Sequence, residues 1–421
     1  MTLRLDRAAL LNELRATCFD PAGAIGGGAP RIGLEAEYLV VDAVTRRPFP
    51  IESSPTEGSA PVLRRLATRQ RWTSRLSAKD VPEFHLADGG RITFEPGGQI
   101  EYSSPAMRSL SDVVRTTQGV LAMLRPVLAD AGAELLARGV DPDTRIEDAP
   151  LQLPAERYVR MDRYFADIGP SGARMMRQTA ALQVSLDFGA HANARWRMLN
   201  ALAPVLAAVF ANSSRYAGAQ TGWMSWRRHI WDTLDPLRTG VQRDATDPAH
   251  AYLDFALAAP AILLPNGERR CAPFQRWLET GCVSRGDWHA HLSTLFPEVR
   301  PRGYLEVRTL DAVSPEWLAA PLVFLTGLVY APASFAAAAD LLGPADPEAL
   351  ARSGELGLRD HAMAQRARDL WDIAIAGAKS LGSSFIAPAE LDVAGDYAAR
   401  YTMAGLCPAD DHAEAAAPVH A

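Results

Sequence analysis

The stretch R-I-G-L-E-A-E-Y-L-V-V-D, residues 31–42, alternates apolar and polar side chains as a half-buried β-strand does. Successive side chains of a strand point to opposite faces, so Ile32 and Leu34 share one face while Glu35 and Glu37 project from the other. Acidic side chains in line on one face repel each other unless solvent or a cation neutralises them. The pattern predicts either a solvent-exposed strand face or an acidic site.

Three further segments show the same division into an apolar and a polar face, namely residues 91–102, 179–188 and 302–310. Their polar positions add Glu95, Glu101, Gln183, Glu306 and Arg308. Four strands of this kind favour a single sheet, whose apolar back packs on helices and whose front is a polar surface. The recurrence favours an acidic site over an ordinary exposed face.

Carboxylates dominate the polar face of the predicted sheet, and oxygen ligands of this kind suit a hard cation such as Mg²⁺ better than zinc. Mg²⁺ bound by a few carboxylates usually holds the phosphates of a nucleotide. The sequence contains neither the phosphate-loop pattern G-x-x-x-x-G-K-[ST] nor a G-x-G-x-x-G turn between a strand and a helix. We therefore expect ATP to be held through metal ions and arginines.

Five motifs, in this order along the chain, resemble the plant-type and bacterial glutamate–cysteine ligases of family 2. They are L-E-A-E-Y (34–38), F-E-P-G-G-Q-I-E-Y-S (94–103), M-M-R-Q-T-A-A-L-Q-V-S-L-D-F (175–188), G-W-M-S-W-R-R-H-I-W (222–231) and Y-L-E-V-R (304–308). The likeness is closer to the actinobacterial ligases that open ergothioneine biosynthesis. It implies an α+β, glutamine synthetase-like carboxylate–amine ligase fold, in which a curved, mainly antiparallel sheet forms an active-site funnel backed by helices.

The resemblance also implies a reaction, in which ATP phosphorylates the γ-carboxylate of L-glutamate and the amine of L-cysteine displaces the phosphate. The products would be γ-glutamylcysteine, ADP and phosphate. Carried over residue by residue, the resemblance assigns Mg²⁺ contacts to Glu35, Glu37, Glu95, Glu101 and Glu306. It assigns catalytic roles to Glu37 and Arg308, and substrate contacts to Arg227, Arg238, Gln183 and Trp226.

Three alternatives stay open from the sequence. A ligase of the same fold can join glutamate to a different amine, and the same first step serves glutathione-type thiol synthesis. A non-catalytic, ligand-binding relative would also keep the fold, although the presence of all the acidic positions disfavours it.

The composition is typical of a cytoplasmic enzyme that acts on small molecules. A formal net charge of −6 argues against a nucleic-acid partner, which would require a basic surface. The four cysteines lack C-x-x-C spacing, which fits a reducing compartment. The N-terminal residues predict a charged amphipathic helix rather than a signal peptide, and the apolar stretches 199–211 and 318–340 predict buried helices rather than membrane spans. The sequence does not indicate an oligomeric state.

The predicted organisation is one catalytic domain over residues 1–407 and a disordered Ala-rich tail over 408–421. Helices are expected at 6–17, 109–138, 193–212, 315–340 and 358–381, with interruptions at Pro126 and Pro204. Segments 19–30 and 140–157 predict loops.

Overall fold

The computed structural model describes residues 5–19, 30–54, 56–77, 81–242, 246–263 and 272–412. Its strands are β1 (Ile32–Asp42), β2 (Thr73–Leu76), β3 (Pro82–His85), β4 (Arg91–Phe94), β5 (Ile100–Ser103), β6 (Ala133–Leu136), β7 (Ala181–Leu186), β8 (Arg215–Tyr216), β9 (Ala219–Gln220), β10 (Thr239–Gly240), β11 (Phe296–Pro297), β12 (Val299–Pro301) and β13 (Leu305–Asp311). Nine of them form one antiparallel sheet in the order β12-β13-β7-β1-β5-β4-β3-β2, with β6 beside the end of β1. The four strand segments predicted from the sequence all lie in this sheet, which confirms that prediction.

Strand β1 lies in the middle of the sheet because its length of 11 residues lets it pair with three other strands. Its apolar positions Ile32, Leu34 and Ala36 are buried against the helices behind the sheet. Its acidic positions Glu35 and Glu37 project to the front. The alternation of the sequence is therefore preserved as one buried and one polar face.

The helices are α1 (Arg7–Leu14), α2 (Ser59–Gln70), α3 (Leu110–Ala129), α4 (Glu156–Ala166), α5 (Ser171–Gln178), α6 (Ala192–Val209), α7 (Trp226–Asp232), α8 (Pro248–Ala258), α9 (Phe274–Glu279), α10 (Arg285–Leu292), α11 (Ala319–Tyr330), α12 (Pro332–Leu342), α13 (Pro347–Leu356), α14 (His361–Ser380) and α15 (Pro388–Tyr397). Helices α3, α6 and α11 pack behind the sheet, and α11 is covered in turn by α14. The expected α+β fold with helical backing is thus observed.

Two predicted helices differ from the structure. The segment 109–138 is not all helical, because α3 ends at Ala129 and residues 133–136 become β6, which pairs with the C-terminal end of β1. Pro126 and Pro204 interrupt neither α3 nor α6, since each proline lies inside a continuous helix. In both cases tertiary packing outweighs local propensity.

The predicted helix 315–340 is a bent pair. Helix α11 ends at Tyr330 and α12 begins at Pro332, with an angle of 96° between Pro315–Tyr330 and Pro332–Leu342. Pro332 disfavours helical geometry at Ala331, which accounts for the break. In the part of the chain that the structure describes, no single helix is long and apolar enough to cross a membrane. The bent pair would be long and apolar enough if its two helices were counted together. Every residue of α11 is buried in the protein.

The predicted disordered tail begins too early. Residues 408–412 pack on the body of the protein, where Ala409 is fully buried and its amide donates to the carbonyl of Ala211. Asp411 accepts a hydrogen bond from the Tyr401 hydroxyl at 2.6 Å. The rest of the predicted tail, and most of the predicted loop 19–30, lie outside the described residues.

Candidate active site

A cavity of about 720 Å³ opens on the polar front of the sheet. Its floor is made of side chains from neighbouring strands, because β1 pairs Glu35 with Gln183 of β7 and Glu37 with Glu101 of β5. Arg308 of β13 completes the floor. The structure therefore brings together residues that are distant in the sequence, as expected for neighbours in one sheet.

One half of the floor is acidic. The pKa of Glu35 is raised to about 8, first by burial and then by the charges of Glu101 and Glu306, against the lowering effect of Arg308 and Arg302. Burial, and then the charge of Glu37, also raise the pKa of Glu101, although Ser103 and Thr93 donate hydrogen bonds to it. These carboxylates are held close together in a site that disfavours their charges.

Glu37 is tied into the sheet more firmly than its neighbours. It accepts a hydrogen bond from the amide of Ala181 at 2.8 Å and another from Gln183 Nε2 at 2.7 Å. The Gln183 side-chain oxygen accepts in turn from Arg308. Burial still raises the pKa of Glu37, against the effect of Arg227 and Arg308. Gln183 therefore links an acidic residue to a basic one across the floor.

The other half of the floor is basic and surrounds Glu306, whose side chain is fully buried. Arg300 Nε and Arg308 Nη1 donate to one carboxylate oxygen at 2.6 and 2.8 Å, and Arg302 Nη1 donates to the other at 3.2 Å. Burial alone would raise the pKa of Glu306, but the three guanidinium groups hold that pKa well below its usual range. Glu306 thus fixes an arginine cluster made of Arg300, Arg302 and Arg308.

Arg300 and Arg302 were not identified from the sequence as functional residues. They alternate in V-R-P-R-G-Y, on β12 and at the turn that leads into β13, and β12 pairs Arg300 directly with Glu306. Gly303 takes the positive φ of 79° that this tight turn requires. The hairpin R-P-R-G-Y-L-E-V-R was the available signal, because it places alternate residues of both strands on one face.

Arg227 reaches the cavity from α7, as the substrate-contact prediction requires. A β-bulge between Val307 and Leu310 turns two carbonyls of β13 toward it, and Arg227 donates to the carbonyls of Thr309 at 3.0 Å and Arg308 at 2.9 Å. Its guanidinium lies 4.5 Å from the ring centroid of Trp231. The Arg227 Nε atom is buried and has no hydrogen-bond partner among the described residues.

Asp311 positions α7 and was not identified from the sequence. Its buried carboxylate accepts from the hydroxyls of Ser213 at 2.7 Å and Ser225 at 3.0 Å, and lies 3.9 Å from Arg227. Ser225 is the N-cap residue of α7. Asp311 therefore joins the end of β13 to the helix that presents Arg227.

Two residues with predicted substrate contacts do not reach the cavity. Arg238 is fully buried, pairs with Asp235 at 2.9 Å and donates to the carbonyl of Thr294 at 3.2 Å. Trp226 stacks on His229 with 4.1 Å between the ring centroids, outside the cavity. Their positions support packing roles, and Trp231 of the same segment lines the cavity instead.

The glycines of the F-E-P-G-G-Q turn (94–99) serve packing. A Cβ atom on Gly97 would lie 2.0 Å from the carbonyl oxygen of Arg177, and one on Gly98 would lie 2.5 Å from Gln152 Nε2. The glycines therefore allow this turn to approach Arg177 of α5 and the side chain of Gln152 closely, rather than a ligand. Glu95, at the start of the turn, lines the cavity.

The donor chemistry of the floor fits a hard cation, although the side chains are not arranged around one. Within the described ranges, no group of three or more His, Cys, Asp or Glu side chains is placed to hold a metal ion. Glu35, Glu37 and Glu101 are nevertheless neighbouring carboxylates with raised pKa values, and a divalent cation would relieve their repulsion. Glu306 differs, because three arginines already occupy both of its oxygens. The metal contacts of these residues and Glu95 stay predictions.

Comparison with known proteins gives a consistent result. The family profile "Glutamate-cysteine ligase family 2" matches residues 31–376. The chain is 34% identical over 406 residues to the glutamate–cysteine ligase EgtA of Mycolicibacterium smegmatis, covering 92% of this chain and 88% of that protein. It is 33% identical over 340 residues to the chloroplastic glutamate–cysteine ligase of Arabidopsis thaliana, covering 76% and 64% respectively.

Among solved structures, the glutamate–cysteine ligase of Francisella tularensis in complex with AMP matches with a TM-score of 0.56 at 15% identity. The match covers 92% of this chain and 85% of that chain. At this identity the likeness shows a shared fold.

Proposed function

The chain belongs to glutamate–cysteine ligase family 2, and from that membership we propose that it joins L-glutamate to L-cysteine with consumption of ATP. The γ-carboxylate of glutamate becomes a γ-glutamyl phosphate, and the amine of cysteine displaces the phosphate. The products are γ-glutamylcysteine, ADP and phosphate.

One observation supports this proposal most directly, namely the division of a single cavity floor into an acidic and a basic half. Glu35, Glu37 and Glu101 form the acidic half. Arg300 and Arg308 belong to the basic half. Transfer of a phosphoryl group depends chiefly on positioning and on neutralising negative charge, and this floor supplies fixed positive charge beside carboxylates that suit a cation.

The arginine cluster would bind the transferred phosphoryl group. Arg308 is held between Glu306 and Gln183, so its guanidinium is oriented before the substrates arrive. Arg300 is held by Glu306 in the same way. Because both arginines are fixed, they can stabilise the charge that develops on the phosphoryl oxygens without rearranging. This arrangement supports the predicted catalytic role of Arg308.

Bound Mg²⁺ would neutralise ATP oxygens and align the phosphates for attack by the γ-carboxylate. Glu35, Glu37 and Glu101 are the residues best placed to hold it, with Glu95 as a further contact at the rim of the floor. Arg227 lines the same cavity, and its guanidinium would meet a substrate carboxylate.

We also propose that the product enters ergothioneine biosynthesis and that the reaction takes place in the cytoplasm. Support comes from the likeness to the actinobacterial ligases and from cysteines that are free among the described residues.

The test is release of ADP from ATP and Mg²⁺ in the presence of L-glutamate, with and without L-cysteine, followed by the mass of the product. We expect cysteine-dependent ADP release and a product with the mass of γ-glutamylcysteine. If ADP release depends on another amine, that amine and not cysteine is the substrate. The absence of turnover with every amine would contradict the proposal.

A further inference from the structure

One wall of the cavity differs in chemistry from the floor, because it is built from thioether side chains. Met161 of α4 and Met175 and Met176 of α5 line the cavity. Met161 and Met176 belong to a small hydrophobic cluster that includes Phe296, and Met175 packs against it. This methionine wall (Met161, Met175 and Met176) therefore offers a polarisable, apolar surface beside a highly charged floor.

A positively charged side chain, Arg157, lies beside the methionine wall on helix α4. Arg157 precedes Met161 by one helical turn of α4, so both side chains emerge on the same face, and both line the cavity. Arg157 donates to the hydroxyl of Ser293 at 2.6 Å and to the carbonyl of Ser293 at 2.7 Å. Among the described residues, Arg157 forms no ion pair within 4.0 Å, although the charge of Glu95 acts on it from a greater distance. Its guanidinium therefore has N–H groups that can pair with an anion.

The wall is held rigidly against the floor. Gln99 of the β4–β5 turn donates to the carbonyl of Thr179 at 2.9 Å and to that of Met176 at 3.5 Å, at the end of α5. Gly97 of the same turn contacts the backbone of Arg177 so closely that no side chain fits between them. Because the turn also carries Glu95, the methionine wall keeps a fixed position relative to the acidic floor.

We propose that the methionine wall and Arg157 form the subsite for the amine substrate, with the side chain of cysteine against the thioethers and its α-carboxylate on Arg157. The inference rests on the proposed function. A thiol is small, weakly polar and polarisable, so it loses little on entering such a surface. A serine hydroxyl in the same place loses its hydrogen bonds to water, because thioethers are weak acceptors. The paired guanidinium and carboxylate fix the amino acid with its amine toward the floor.

Polar substitutions of similar size test the side-chain half of this subsite. Met161→Gln and Met176→Gln should lower the ratio of kcat/KM for L-cysteine to kcat/KM for L-serine by about tenfold or more, with KM for ATP and for glutamate changed less than twofold. Met363→Gln is the matched control, because Met363 is equally buried in α14 and does not line the cavity. A raised KM for ATP with an unchanged cysteine-to-serine ratio would assign the wall to the nucleotide and overturn the proposal.

A truncated substrate tests the carboxylate half. Cysteamine is cysteine without its carboxylate, so Arg157→Ala should lower kcat/KM for L-cysteine by about a hundredfold while leaving the low activity with cysteamine within threefold. Equal losses with both amines would overturn the carboxylate contact. Arg157→Lys should recover part of the activity with cysteine, since it restores the charge without the planar geometry.

Misfolding and failure of the proposed function are distinguishable from failure of the subsite. If a glutamine variant does not fold, Met176→Leu and the half-buried Met175→Gln replace it, and we expect only the second to change the cysteine-to-serine ratio. Wild-type protein that releases no ADP in response to cysteine would refute the proposed function. Wild-type activity with unchanged selectivity in every variant would refute the subsite alone.

Discussion

Neutralising Glu306 should destabilise the unliganded protein strongly. Glu306 is fully buried and is the shared partner of Arg300, Arg302 and Arg308. The substitution Glu306→Gln keeps the shape and removes the negative charge to which all three arginines donate hydrogen bonds. Removing one partner of a buried ion pair typically costs about 3–5 kcal/mol, because the remaining charge is left uncompensated. Arg300 and Arg308 are largely buried, with 12% of each side chain exposed, so we expect a loss of about 3 kcal/mol in the free energy of unfolding, at the lower end of that range.

Glu35→Gln is the matched control, because it changes a carboxylate of the same floor in the opposite electrostatic setting. The folded-state pKa of Glu35 is raised to about 8, so the folded protein holds a proton there that the unfolded chain releases near pH 4.5. The wild-type protein therefore loses stability through this group as pH rises from about 4.5 to about 8. Glu35→Gln should therefore increase stability at pH 6 and increase it further at pH 9.

Urea unfolding at pH 6 and pH 9, followed by tryptophan fluorescence, measures both effects. Phosphate or ADP should recover part of the stability of Glu306→Gln, since an anion can replace the missing charge. A loss smaller than 1 kcal/mol for Glu306→Gln, or a larger loss for Glu35→Gln at pH 9 than at pH 6, would refute the division of the floor into a basic and an acidic half.

Three further predictions concern the surrounding scaffold. Gly97→Ala should lower the free energy of unfolding by about 1–3 kcal/mol, because its Cβ would lie 2.0 Å from the Arg177 carbonyl oxygen. The control Gly119→Ala in α3 meets no atom within 4 Å and should raise the free energy of unfolding by about 0.5–1 kcal/mol; equal effects of the two substitutions in urea unfolding would refute the close approach. Arg238→Ala should lower the free energy of unfolding by about 3 kcal/mol, because the buried Asp235 loses its guanidinium partner and keeps the hydrogen bonds from Tyr164 and Leu237; KM for glutamate should change little. A large change in that KM without a loss of stability would restore Arg238 as a substrate contact. Burial lowers the pKa of His291 to about 3, so the folded protein binds fewer protons there than the unfolded chain, and stability should fall by up to about 1.4 kcal/mol per pH unit as pH decreases from 6.5 toward 3. His291→Gln should reduce this slope and the exposed control His361→Gln should not; an unchanged slope in His291→Gln would contradict the prediction.

The sheet and the floor of the site were predictable because they depend on a period of two. Alternation in residues 31–42 places Glu35 and Glu37 on the front whatever the neighbouring strands are, and the structure retains that division. Residue chemistry also predicted that Glu101, Gln183 and Arg308 would meet on this face. Register between distant strands is not encoded locally, so the direct pairing of Glu37 with Glu101 could be seen only in the structure.

The cavity walls were less predictable, since they depend on how helices pack across the front. None of the helices α4, α5 and α7 was predicted; α5 and α7 have only 8 and 7 residues, which is too short a stretch for a helical period to be read with certainty. Arg238 and Arg227 belong to the same arginine-rich segment, yet the fold turns Arg238 toward Asp235 and Arg227 toward the bulge of β13. The sequence shows that arginines are present, but only tertiary packing decides which of them reach the cavity.

Transfer of oxygen from glutamate to phosphate is the most direct test of the proposed reaction at this site. L-Glutamate labelled with ¹⁸O in its γ-carboxylate would be incubated with ATP, Mg²⁺ and L-cysteine, and the released phosphate analysed by mass. Attack of a γ-carboxylate oxygen on the terminal phosphorus of ATP makes that oxygen the bridge of the acyl phosphate, and displacement by the amine then releases it with the phosphate. We expect one ¹⁸O in the phosphate for each γ-glutamylcysteine formed. Unlabelled phosphate released together with γ-glutamylcysteine would contradict the phosphorylation of glutamate.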